Sequence, residues 1–354
     1  MSDASGKIGA AVLFRNRPRV NFKAFCDGLN QAFPELENSL ELVAHRRNIA
    51  VFSQENLHIV VAINKKPYPR DEISVALTSP IARAKIFKFE AKFKAHRSHI
   101  YIAVNDFAWS PELAALTSTD IPSISVAQRA RILREAVLLL ERYKPTMVYW
   151  RQSEMLFDPS ELHIGPTDTL PMAQMVHPLP VQDPEMPDNQ GVICTYSENI
   201  LGKTLQIDPA ARPVLSSLNI ALSVMIEAKS GGLQLRQGEV VETKSGEVLY
   251  VYHQPPCLSW QAGRICLTDD PEQVGVLPEQ DHFPTLQLRP SSTRAMRHFP
   301  EQKKRVIPRR VKGAVLTISI GAVIWAFDIT KMDAVDTALH FVRADEPLQV
   351  PSPV

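Results

Sequence analysis

Residues 125–150 read SVAQRARILREAVLLLERYKPTMVYW. Ser125 is an N-cap residue, and Ile132, Val137, Leu138 and Leu140 with their neighbours make a broad apolar face at helical spacing. Lys144-Pro145 stops the helix, because proline lacks an N–H and clashes with the preceding turn. The next five residues, TMVYW, are apolar and rich in β-formers, as a buried strand requires. A helix running straight into such a strand predicts helices packed on a sheet.

Upstream the same alternation recurs. Residues 10–14 (AAVLF) predict a strand, and Asn21 caps a helix whose Phe22, Phe25, Cys26, Leu29 and Phe33 form one stripe before Pro34 ends it. Residues 40–52 and 57–63 predict two strands joined through Gln54-Glu55-Asn56. Residues 71–96 predict a long helix that Pro80 must kink or divide, and 99–104 (HIYIAV) another strand. The resulting order, βαββαβαβ, predicts a mixed β-sheet with packed helices, the α+β class.

Downstream the pattern thins. Residues 158–199 are proline-rich and predict an irregular connection. A strand at 204–207, a helix at 213–229 stopped by Gly231-Gly232, and a hairpin over 238–253 follow as strand, helix, hairpin. The expected organisation is one composite α+β domain over 10–253, with blocks at 10–157 and 200–253 around the 158–199 connection. A proline-rich and then basic linker would occupy 254–312, an apolar segment 313–329 and an acidic tail 330–354.

Composition sets the class. With 45% hydrophobic and 22% charged residues, the bulk of the chain can bury a core and is not disordered. The four cysteines form no Cys-x-x-Cys pair, so neither a zinc ribbon nor a redox motif is indicated, and the start of the chain carries no long apolar run of a secretory signal. A reducing, cytoplasmic setting is expected. The net charge of +1 conceals an asymmetry: residues 289–312 carry +8, 313–354 carry −3 and 1–288 carry −4.

Two stretches carry a family likeness. One is AHRSHIYIAVND (95–106) followed by KPTMVYWRQSEMLFDPSEL (144–162); the other is LGKTLQID (201–208) followed by GLQLRQGEVVETKSGEVLYVYH (232–253). Over roughly 10–253 the chain resembles the bacterial family called domain of unknown function 4261. That resemblance implies a single composite domain and a bacterial source, and it implies no activity, cofactor or catalytic residue.

Candidate chemistry is sparse. His96 and His99, with His253 as a third nitrogen, could hold a metal for a metal-dependent enzyme. However, His96 falls at a predicted helix end and His99 in a strand, which favours structural roles, and neither a cofactor nor a metal is expected. Lysines and arginines between Arg83 and Lys94 alternate with Phe87, Phe89 and Phe93, which could face a nucleic acid or could be a solvated helix face over buried rings. Glu90 and the acidic balance of residues 1–288 favour the second, so nucleic acid is not an expected partner. No Gly-x-Ser-x-Gly elbow, Walker loop or dinucleotide turn occurs, and spacing alone gives no reason to group Asp208 with Glu227 and Glu239.

The C-terminal segment is the strongest anomaly. Residues 313–327 (GAVLTISIGAVIWAF) are free of charge and follow Lys303, Lys304, Arg305, Arg309, Arg310 and Lys312. A bilayer span needs about 17–25 apolar residues, so this one is a turn short. Its charge order places the body in the cytoplasm if 313–329 enters the inner membrane. Val315, Ile318, Ile320 and Ile324 are β-branched, and with Trp325 they also suit a buried strand or a protein-docking segment. The expected function is a binding or regulatory module, tethered to the inner membrane or acting with protein partners. A soluble accessory or immunity-type subunit of a secretion or toxin system, docking through the tail, is the alternative.

Overall fold

The computed structural model describes residues 8–36, 39–54, 57–106, 124–163, 170–243, 246–257 and 260–275. The apolar segment 313–329, the basic residues before it and the acidic tail lie outside the described residues. Within them the fold is α+β, with the strands shared between two sheets.

The first sheet is built around β1 (Ile8–Phe14), whose seven residues are all buried. It lies between β5 (Ser98–Asp106) and β6 (Met147–Trp150), with β4 (Leu57–Asn64), β3 (Ile49–Gln54) and β2 (Glu41–Arg46) beyond β5 and β7 (Met155–Phe157) beyond β6. Every pairing in it is antiparallel. The stretch expected as one strand over 40–52 divides into β2 and β3, because Arg47-Asn48 turns the chain.

One face of this sheet carries α1 (Phe22–Ala32) and α5 (Val126–Leu138). Asn21 Oδ1 accepts from Ala24 N at 3.1 Å at the start of α1, and Ser125 Oγ accepts from Gln128 N at 3.1 Å at the start of α5. Phe25 of α1 packs on Phe52 with ring centroids 5.5 Å apart. Burial of each such ring is worth about 1.5–3 kcal/mol. The expected long helix at 71–96 divides into α2 (Ser74–Thr78), α3 (Pro80–Lys85) and α4 (Phe89–Ala95). Pro80 opens α3 behind the Ser79 cap, and Lys88 at φ 54° breaks the chain before α4.

The second sheet runs β11-β12-β13-β10-β9-β8. Its strands are β8 (His177–Gln182), β9 (Gln190–Thr195), β10 (Thr204–Ala210), β11 (Val240–Glu242), β12 (Val248–Gln254) and β13 (Arg264–Thr268). Short helices α6 (Met172–Met175) and α7 (Glu198–Leu201) precede β8 and β10, and α8 (Val214–Lys229) packs on β9 and β10. Gly191 lets β9 and β10 approach, since a Cβ there would lie 2.3 Å from Ile207 O.

Two expected boundaries are corrected here. The proline-rich 158–199 connection supplies β8 and β9; β8 pairs with β9 alone, and an edge strand accommodates Pro178 and Pro180 because a missing N–H there costs no ladder bond. The expected linker from 254 onward supplies β13, which pairs parallel with β10 and antiparallel with β12 at the centre of the sheet. Buried side chains of both sheets belong to one continuous hydrophobic cluster. Among the described residues, no helix is long and apolar enough to cross a membrane.

Candidate functional site

His96 and His99 lie on one side of the first sheet, where residues 65–73 and α2–α4 fold over it. His96 is the C-cap of α4; its Nδ1–H donates to Phe93 O and its Nε2 accepts from Tyr68 N at 3.1 Å. His99 Nδ1–H donates to Lys66 O at 2.9 Å, while its Nε2 is buried without a partner. Burial is the main cause that pushes His99 down to about 4, so the ring is neutral at physiological pH. Tyr68 meets the His99 ring edge-on at 4.9 Å between centroids and donates from its hydroxyl to Glu72 Oε2 at 3.1 Å. Tyr101 and Tyr149 complete a buried group of rings, and burial raises the phenols of Tyr68 and Tyr149.

His253 belongs to the other sheet. Its Nε2–H donates to Leu235 O at 2.8 Å, and Lys203 Nζ lies 3.2 Å from its Nδ1. The three histidines are therefore not brought together, and among the described residues no group of three or more His, Cys, Asp or Glu is placed to hold a metal ion.

Asp208, which the spacing left without partners, sits at the centre of a buried polar network. Register puts Gln206 and Asp208 of β10, Arg264 and Cys266 of β13, and Tyr252 and Gln254 of β12 on the same face. Asp208 Oδ1 accepts from Gln206 Nε2 at 2.7 Å and Oδ2 from Tyr252 Oη at 2.7 Å, and Arg264 Nη1 donates to Gln206 Oε1 at 2.7 Å. Burial drives the Asp208 carboxyl up to about 6, against the pull of Tyr252, Gln206 and Arg264. The thiol of Cys266 beside it is raised by the same burial, which makes it a poor nucleophile. Both polar atoms of the buried Gln254 amide lack a partner. No local sequence signal could have found this network, because Tyr252 and Arg264 lie 44 and 58 residues from their partners on β10.

A concavity of about 720 Å³ lies between α1 and β2, with Cys26, Asn30, Asp27 and His45 on its walls. Asn30 closes its floor by pairing with both backbone groups of Leu40, at 2.7 and 3.0 Å. The neighbouring edge strand is guarded against another strand: the register of β2 shifts between Leu42 and Ala44, and Glu41, His45 and Arg46 are exposed along it.

Three of the five cations in the basic helical run meet carboxylates of the same molecule. Arg83 pairs with Glu90 at 2.9 Å, Lys85 with Glu161 and Lys92 with Asp158. Phe89 and Phe93 are buried beneath them, and Phe87 is exposed.

A different set of charges converges at one end of the first sheet. The β1 exit (14–23, FRNRPRVNFK), the β2–β3 turn (45–48, HRRN), the β4 exit (64–66, NKK), the β5 entry (94–98, KAHRS) and the β6 approach (141–144, ERYK) all lie there. The register fixes this: Phe14 pairs with Ser98, Leu13 with Met147, Asn64 with His99 and Arg46 with Ile49. Backbone bonds from Arg97 N to Phe14 O and from Thr146 N to Leu13 O, both 2.8 Å, and a side-chain bond from Arg17 to Asn48 tie the loops together.

The chain matches no family model, no curated protein and no solved structure.

Proposed function

We propose that the protein is a binding or regulatory module that works without turning over a substrate, held at the cytoplasmic face of the inner membrane by residues 313–329. The observation that carries this reading is how the ionisable side chains of the body are engaged. Both nitrogens of His96, both of His253 and both carboxylate oxygens of Asp208 bond within the fold, under or between its own strands. A general acid or base must reach a substrate proton within about 3 Å, and these groups are aimed at their neighbours instead. The nine lysines and arginines at 289–312, ahead of a charge-free segment, support the cytoplasmic side for the body.

Cell fractionation tests the tether. Ile320→Asp with Ile324→Asp should move the full chain from the membrane to the soluble fraction, and truncation at Pro300 should leave a folded, soluble body. A full-length protein that purifies monomeric from the cytosol without detergent would defeat the tether. Elemental analysis tests the other half: one zinc or iron per chain, lost in His96→Ala with His99→Ala, would restore the metal-dependent enzyme.

A further inference from the structure

The five segments at the end of the first sheet contain twelve lysines and arginines against one acid, Glu141, which His163 engages at 2.6 Å. Since residues 1–288 sum to −4, this end holds +11 and everything else in that stretch −15. Six strands, β2 to β6 through β1, span about 24 Å at ordinary strand spacing, so the charge covers a broad surface. Arg15, Arg19, Arg47, Lys65, Lys94 and Arg97 are all exposed on it. Exposed like charges gathered on one surface repel one another, and an anionic partner would relieve that repulsion.

We propose that this end of the first sheet is a binding surface for anionic lipid headgroups. It deepens the membrane reading above by naming the face of the body that meets the bilayer, and it does not depend on the apolar segment. Two observations favour a lipid surface over a nucleic acid. The rings within the five segments offer little to stack on: Phe14, Phe22 and His96 are buried and Arg142 covers Tyr143 at 5.5 Å, which leaves the His45 imidazole as the one open ring. Also, a long polyanion running past this end would meet a body carrying −15, whereas a membrane touches the end alone. Each basic residue held near an anionic leaflet strengthens attachment about fivefold.

The test is flotation of the full chain with vesicles of phosphatidylcholine alone or mixed with phosphatidylglycerol. Wild type should gain binding from the anionic lipid, and 0.5 M salt should remove that gain. The double variant Arg47→Glu with Lys65→Glu should weaken the anionic component at least about 30-fold, equivalent to about 2 kcal/mol, while leaving any binding to neutral vesicles unchanged. Arg15→Glu with Arg19→Glu, on another loop, should act alike, which keeps the test open if one variant fails to fold by circular dichroism. If folded variants keep full anionic binding, the surface assignment is wrong, whatever the tail does. It is equally overturned if wild type shows no anionic gain, or if it binds a single-stranded oligonucleotide more tightly than the vesicles and the same variants abolish that. Loss of neutral-vesicle binding on Ile320→Asp reports on the tail alone and separates the two readings.

Discussion

Two basic regions of this molecule look alike in composition and differ in what answers their charge. The α3–α4 segment gathers its lysines and arginines within a dozen residues, yet Glu90, Glu161 and Asp158 meet three of them and buried phenylalanines hold the helices down. The sheet end draws its charge from five separate segments and has a single carboxylate among them. Clustering in sequence is thus a poor guide to an electropositive surface. Where carboxylates from the same helical segment or from residues 158–161 meet the cations, the charge is settled within the fold; Arg15, Arg19, Arg47 and Lys65 at the sheet end are exposed to solvent instead.

The comparison breaks first at the rings. If α4 is held by burial rather than by ion pairs, Phe93→Ala should cost about 3–5 kcal/mol in urea unfolding. A loss under 1 kcal/mol would mean that the charges do the holding. Next is a carboxyl buried between strands, Asp208. Its folded carboxyl titrates near 6, above the ordinary 3.8, so the folded state favours the proton. Stability should therefore be highest below about pH 4 as far as this group is concerned, should fall by about 3 kcal/mol as pH rises from about 4 through the folded value near 6, and should level off above it. Asp208→Asn should flatten that slope; an unchanged pH profile would show that the carboxyl is not buried as charge.

Smaller effects separate the two basic regions themselves. Burial works against the Asp158 carboxylate, but its bonds to Lys92 and Ser160 hold it below the usual range. The pair's contribution should then be present above the ordinary carboxylate range and fade as pH falls through the lowered value. Since both side chains are partly exposed, Lys92→Ala should cost no more than about 1 kcal/mol at pH 7. At the sheet end the sign reverses: Arg15→Gln with Arg19→Gln should leave stability within about 0.5 kcal/mol or raise it, and added salt should raise the melting temperature of wild type. A clear destabilisation there, reversed by no salt, would mean that the arginines serve the fold.

Much of the architecture was legible in local pattern. Phe22, Phe25, Cys26, Leu29 and Phe33 are buried as their spacing predicts, Asn21 and Ser125 cap their helices, and Gly231 ends α8 at φ 79°. The failures share a cause. Pro178 and Pro180 read as loop because a strand interior excludes proline, and only the sheet order reveals that β8 is an edge. The network at Asp208 and the basic end are both made by register, which joins residues that no window of sequence contains together.

The place of β13 has a consequence for how the chain is made. The first sheet is complete once Phe157 has been synthesised, but β10 and β12 have no neighbour on their facing edges until Thr268 follows. At about 5–20 residues per second the fourteen residues after Gln254 take about 1–3 s, during which the facing edges of β10 and β12 lack the strand that joins them. A ribosome stalled in that interval would release a product with a finished first half and a second half primed to pair with its own kind.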